Sequence, residues 1–245
     1  MAKSESDNSW DVGRSSGQTR TRYGATYQTP KPQRYYDESR DEIVPLLPAY
    51  SARALDLGSG IATTSGALKR SGRFGWVCAV EGHPEIAKIT RQNVDEVLVG
   101  DIDKMNFPHP EGHFDTVLAL DILEHLVDPW RALGEIRRVL RPGGHLVISV
   151  PNIRHFSVMF PLLIYGDFRY QQEGVLDSTH LRFFTRRSIL QMLIRSGFEI
   201  EDIQATGIGN GWSGVANRLT LGLFKELFIF QNLIRARKTE QVELD

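Results

Sequence analysis

The chain has 245 residues, 41% hydrophobic and 24% charged, with a formal net charge of −1. These are the values of an ordinary globular protein, and the length fits one α/β domain with additions or two very small domains. The near-zero charge gives no support for a nucleic-acid partner, which calls for a basic surface. The single cysteine, Cys78, cannot form an intramolecular disulfide and reads as a buried small hydrophobe. No apolar signal core opens the chain, and no stretch reaches the ~18 apolar residues of a membrane span, so a soluble cytoplasmic protein is expected.

Residues 1–30 are rich in Ser, Thr, Gly and Arg and poor in aliphatic residues. Such a segment cannot bury enough surface to offset its ordering entropy and reads as a tail. Order is expected from Tyr35-Tyr36, and Asp41 to Leu47 reads as a short amphipathic helix stopped by Pro48. The organising stretch follows, Arg53-Ala54-Leu55-Asp56-Leu57-Gly58-Ser59-Gly60-Ile61-Ala62. Its apolar run suits a strand covered on both faces of a parallel sheet. Gly58 and Gly60 allow a sharp turn and close approach of a ligand. A helix from about Ala62 to Arg70 then aims its first N–H groups at that ligand. The turn alone is open to NAD, FAD or S-adenosylmethionine. A dinucleotide fingerprint, however, wants a small residue where Thr63 stands.

Trp76 to Glu81 is the second strand, with Glu81 at its carboxyl end, placed to accept hydrogen bonds from ribose hydroxyls. His83-Pro84-Glu85 opens a helix, with proline at its first turn. Glu96 to Val99 is a third strand ending in Gly100-Asp101-Ile102, where Asp101 reads either as a ligand group or as a turn cap. Phe114 to Leu120 is the fourth strand, running into Asp121-Ile122-Leu123-Glu124-His125-Leu126. A helix from Pro129 to Leu140 is ended by Arg141-Pro142-Gly143-Gly144, which turns into a fifth strand, His145 to Val150. This alternation predicts a doubly wound sheet with its ligand outside the carboxyl ends of the strands. Residues 154–187 leave the pattern and are long for a connection, which marks a lid or acceptor wall. Within it Phe156 to Tyr165 is apolar and interrupted by Pro161, reading as a pocket wall or as a membrane contact beside a lipid-linked acceptor. A helix from Arg187 to Ser196, a strand from Phe198 to Ala205, an amphipathic stretch from Leu219 to Phe228 and a last strand from Phe230 to Ala236 complete the chain.

Asp-Leu-Gly-Ser-Gly, Phe-Asp, Leu-Glu-His and Arg-Pro-Gly-Gly, in this order, resemble the class I S-adenosylmethionine-dependent methyltransferases over roughly residues 35–240. The resemblance implies a seven-stranded, mostly parallel, Rossmann-like α/β sheet with an acceptor lid (153–187) between strands five and six. It also implies a last strand slotted antiparallel between them. It assigns the cofactor to Asp56, Gly58, Ser59, Gly60, Glu81, Gly82, Asp101, Ile102, Leu120 and Asp121. A third glycine is usual in the family where this chain has Ala62, and Tyr36 reads as a cofactor cover or as an aromatic packed under the first strand. Val150-Pro151-Asn152-Ile153-Arg154-His155 and Gly174 to Thr185 resemble a subgroup found with bacterial surface-polysaccharide biosynthesis, which implies a sugar or glycan acceptor.

A sugar hydroxyl must lose a proton as it is methylated, so a base or a metal is needed near the methyl group. If a helix begins directly after strand four, Asp121, Glu124 and His125 share a face. Oxygen ligands plus imidazole suit magnesium or manganese. A similar Glu-x-x-Glu-His occurs in O-methyltransferases acting on quinol precursors and on small-RNA 3′ ends. The latter add a later histidine, here matched by His180. Two readings of Asp121, Glu124, His125 and His180 therefore stand: a divalent-cation site, or a metal-free site with His125 or His180 as general base. A third is purely structural, with Glu124 and His125 bracing the helix, His180 pinning the lid and His155 on the lid surface. At the level of function the alternatives are a quinol-precursor or small-molecule O-methyltransferase, a non-catalytic cofactor-binding scaffold and an NAD-dependent oxidoreductase.

Overall fold

The computed structural model describes residues 39–207 and 225–240. The expected tail 1–30, Tyr36 and the start of the stretch at Leu219 lie outside the described residues. The sheet has seven strands: β1 (Ser51–Leu57), β2 (Phe74–Glu81), β3 (Glu96–Val99), β4 (Phe114–Leu120), β5 (Leu140–Pro151), β6 (Phe198–Thr206) and β7 (Gln231–Lys238). Their order is β3-β2-β1-β4-β5-β7-β6. The first five run parallel, and β7 is antiparallel to both neighbours, pairing Ile234 with Ile148 and with Ile203. This is the expected doubly wound sheet, last strand included.

Among the described residues there are five α-helices, α1 (Thr63–Arg70), α2 (Pro84–Thr90), α3 (Pro129–Val139), α4 (Phe156–Tyr165) and α5 (Arg186–Arg195), of which α4 stands off the sheet with only Val158 buried. Strand alternation splits the core in two. Leu55, Cys78, Val117 and Leu146 pack with Leu133 and Ile136 of α3 and Ile189 and Leu193 of α5. Ala54, Val77, Leu118, Val147 and Leu233 pack with Leu68 of α1 and with Ile43 and Leu46. The last two lie on a 3-10 helix, Asp41–Leu46, with Pro45 inside it. At roughly 1.5–3 kcal/mol for each fully buried large aliphatic side chain, these two layers supply the main driving force for the fold.

The structure departs from the sequence reading at two places, of which the second bears on the site. Arg141–Gly144 does not turn out of the sheet before β5. Leu140 already pairs with Phe114, and the next pairing is His145 with Thr116, so four residues bulge opposite Asp115. Arg141 Nε bonds Asp115 Oδ1 at 2.7 Å across the bulge. After β4 there is no helix at Asp121, only one 3-10 turn, Leu123–His125. Asp121 itself has φ +50°, a left-handed conformation rare for a residue with a Cβ. A helical face shared by Asp121, Glu124 and His125 is therefore not formed.

Candidate active site

The glycine turn closes tightly on the end of β2. Gly58 and Ser59 donate their N–H groups to Val80 O, at 2.9 and 3.2 Å. Gly58, Gly60 and Ala62 have φ of +63°, +55° and +60°. A Cβ on Gly58 would lie 2.6 Å from Ile122 Cδ1, so a side chain there would displace Ile122 as well as strain the left-handed backbone. Ala62, where the family usually has glycine, keeps the left-handed conformation and caps α1 from it. The backbone path of the turn is thus retained at some local strain.

Two buried acids stand behind this turn. Asp56 accepts from Ser65 Oγ at 2.5 Å. Burial pushes its carboxyl up to about 7, with the Ser65 bond opposing and the charge of Glu81 adding to the rise. Glu81 accepts from Gly60 N at 3.0 Å and from His83 N at 2.7 Å. Its carboxyl is also raised, burial outweighing those bonds and a further one from the Gly82 backbone. Asp101 takes the turn-cap role in this structure: Oδ1 accepts from Asp103 N at 3.0 Å and Oδ2 pairs with Lys104 Nζ at 2.7 Å. Ile102 is packed into the core and Leu120 against the second core layer. Ser59 Oγ bonds Gly60 O at 3.3 Å within the turn.

Asp121 turns away from Glu124 and His125. Its carboxylate pairs with the Arg40 guanidinium, accepts from Gln231 Nε2 at 2.6 Å and from Ser149 Oγ at 3.1 Å. The neighbouring carboxylates Asp121 and Glu42 hold Arg40 more firmly protonated, against the opposing effect of burial. Arg40 N also bonds Thr64 Oγ1 at 3.0 Å, fixing the segment before β1 to the start of α1. Arg40, Ser149 and Gln231 were absent from the sequence reading, and no motif marks them.

The other three expected residues come together beyond β4. Ligand atoms of Glu124, His125 and His180 lie within 4.8 Å of one another, and Asp121 is not in this group. The two imidazole centroids are 4.7 Å apart, at 74°. His125 Nδ1 lies 3.2 Å from Thr179 O, and His180 Nδ1 lies 3.0 Å from Val175 O. A carbonyl only accepts, so each of these contacts calls for a proton on Nδ1; the Thr179 hydroxyl, also 3.2 Å from His125 Nδ1, donates to Asp177 instead. Thr179 is fixed in turn by Asp177, through Oγ1 at 2.7 Å and N at 2.9 Å. The lid is hooked on here: Leu181 N and Arg182 N both donate to Glu124 O, at 2.8 and 2.9 Å. A second grouping, Cys78, Glu96 and His109, holds a His109–Glu96 pair at 3.0 Å beside the buried Cys78.

The base of the lid is set by Asn152, which is fully buried. Its Nδ2 donates to Glu226 O and Ile229 O, and its Oδ1 accepts from Arg154 N. His155 is buried rather than on the lid surface. It caps α4 through Ser157 and packs on Phe156 and Phe230 at 4.5 and 5.3 Å, and burial lowers its pKa. The helix α4 runs through Pro161 to a left-handed Gly166 cap, so the proline does not end it.

A family model described as a methyltransferase domain matches residues 30–203. The chain belongs to the class I S-adenosylmethionine-dependent methyltransferases. It is 28% identical over 159 residues to a ubiquinone biosynthesis O-methyltransferase of Xanthomonas euvesicatoria, covering 62% of this chain and 64% of that one. A transposon protein of Streptomyces fradiae is 30% identical, over 68% of this chain and 50% of its own length. The chain thus spans about half to two thirds of these relatives. Among solved structures, a methyltransferase from Archaeoglobus fulgidus superposes with a TM-score of 0.60 at 18% identity, covering 81% of this chain and 91% of that one. The cyclase SpnF superposes with 0.58 at 20%, covering 81% and 80%. At these identities the likeness shows the fold alone, and SpnF illustrates that the fold does not dictate the reaction.

Proposed function

We propose that the protein methylates an oxygen of a sugar or glycan hydroxyl with S-adenosylmethionine as donor. The observation that carries this reading is the grouping of Glu124, His125 and His180 outside β4, one carboxylate and two imidazoles held by the lid. The cofactor fits the other half: a turn that excludes a Cβ at Gly58, and buried Asp56 and Glu81 behind it. When bound, it supplies a methyl group on a sulfonium. The chain's part is to align the acceptor with that methyl and to take up the hydroxyl proton.

The donor set also suits a divalent cation, whose chemistry when bound would be to lower the pKa of the acceptor hydroxyl. With Asp121 engaged by Arg40, the remaining set has two nitrogens to one carboxylate, which favours manganese over magnesium. The carbonyl bonds to Nδ1 of both histidines are the outer contacts that orient imidazole ligands in metal sites. The glycan acceptor is supported by the resemblance of 150–155 and 174–185 to proteins of surface-polysaccharide biosynthesis. A second reading, a quinol-precursor acceptor, is favoured by the O-methyltransferase of Xanthomonas.

The test is transfer of label from methyl-labelled S-adenosylmethionine to fractionated nucleotide sugars, lipid-linked glycans and quinol precursors. It is run after exhaustive chelation and again with manganese restored. Label in a glycan fraction that depends on manganese is expected. Full activity after chelation, with no cation found by elemental analysis, removes the metal and leaves a histidine as base. Label confined to quinol precursors replaces the acceptor. Saturable cofactor binding without transfer to any acceptor, and no effect of Glu124→Gln in vivo, makes the protein a scaffold.

A further inference from the structure

The lid carries a face that the chemistry above does not use. Of the ten residues of α4 only Val158 is buried. Leu163 is 73% and Tyr165 72% exposed, and Phe156, Phe160 and Ile164 stand exposed beside them. Past the Gly166 cap, exposed Phe168 and Tyr170 meet edge to face at 5.7 Å and extend the surface. Contiguous exposed apolar side chains of this size mark a contact surface. Among the described residues no helix is long and apolar enough to cross a membrane.

Basic groups adjoin this face. Arg154, two residues before α4, lines a cavity of about 340 Å³ with Arg186, Arg187, Leu190, Ile194 and Glu226. The cavity is joined to α4 through the segment holding Glu226, since Phe228 packs on Phe156 at 6.3 Å. Arg186 lies 3.3 Å from Glu226, and Arg169 lies 3.0 Å from Asp167. Four arginines, Arg154, Arg169, Arg186 and Arg187, thus stand against two carboxylates, Asp167 and Glu226. The surroundings are net positive, with arginine stems and aliphatic side chains lining the same cavity.

We propose that this face seats the protein on an anionic lipid surface, with α4 in the interfacial layer and Arg154, Arg169 and Arg187 toward the headgroups. α4 itself carries no charged residue, and the arginine and tyrosine side chains beside its exposed apolar surface are the groups suited to the headgroup boundary. The inference does not depend on which acceptor is methylated, and it is read without cofactor or acceptor.

The experiment is co-sedimentation of the full chain with vesicles of equimolar phosphatidylglycerol and phosphatidylcholine, and with phosphatidylcholine alone, over a salt series. Binding to the anionic vesicles that weakens with salt is expected. Arg154→Gln with Arg187→Gln should weaken it about fivefold per arginine, roughly 25-fold together. Leu163→Glu with Tyr165→Glu, both on exposed positions that leave the core intact, should remove it. No binding, equal binding to both vesicles, or unchanged binding by the Leu163/Tyr165 variant overturns the proposal. So does a concentration-dependent dimer in sedimentation velocity that the same variant dissolves, which would make the occupant a second copy.

Discussion

The cofactor edge and the acceptor edge of this sheet are built in different ways. At the cofactor edge the decisive contacts are local. Ser65 reaches Asp56 over nine residues, and Gly60 reaches Glu81 over twenty-one. At the acceptor edge they are long-range. His125 meets Thr179 across fifty-four residues, and Asn152 at the base of the lid meets Glu226 across seventy-four. The first edge is a buried, rigid frame that any ligand of its class can use. The second is a long connection whose outer helix is mostly exposed, the kind of segment in which folds of this type vary.

The comparison is broken most severely on the acceptor side. Glu124→Gln, His125→Ala or His180→Ala should lower turnover by roughly 10²–10⁴ while leaving cofactor affinity within about twofold, measured by single-turnover kinetics and calorimetry. A matching loss of cofactor affinity would show that the two edges are not separable.

The next effect falls on the cofactor edge. Gly58→Ala places a Cβ against Ile122 in a left-handed conformation. It should cost about 1–3 kcal/mol in urea unfolding and weaken cofactor binding more than turnover at saturation.

Asp56 gives a pH test of the same edge. Its folded pKa of about 7 lies above the usual carboxylate value, so between about pH 4 and 7 the folded state holds a proton that the unfolded state has lost. Stability should therefore fall as pH rises through that window and level off above it. Asp56→Asn should flatten this dependence and gain on the order of 1–2 kcal/mol at pH 8, read from urea midpoints. An unchanged pH profile would show that the Asp56 carboxyl titrates normally.

The smallest effect sharpens the comparison. Ala62→Gly relieves a left-handed alanine, offset by the extra chain entropy of glycine. It should stabilise by about 0.5 kcal/mol, with cofactor affinity unchanged or improved. A destabilised variant would show that the buried methyl contributes more than the strain costs.

Much of the frame was legible in the residues. Apolar runs bounded by glycine and proline marked β1 to β4 to within about two residues, because a strand covered on both faces is written as a continuous apolar segment, whereas β5 begins five residues before the expected start and β6 alternates. The turn from Gly58 to Ala62 was legible because few residues tolerate φ > 0, and Glu81 because it ends an apolar strand. The partners of Asp121 were not legible, since Arg40 and Gln231 come from opposite ends of the chain and carry no motif.

By itself, then, the sequence determined the doubly wound sheet, the glycine turn and the acids behind it, through periodicity and local backbone sterics. Only the tertiary structure decided that Asp121 faces Arg40 while Glu124, His125 and His180 converge. A left-handed residue after β4 and a lid pinned to the Glu124 carbonyl redirect those side chains, and neither leaves a local signal.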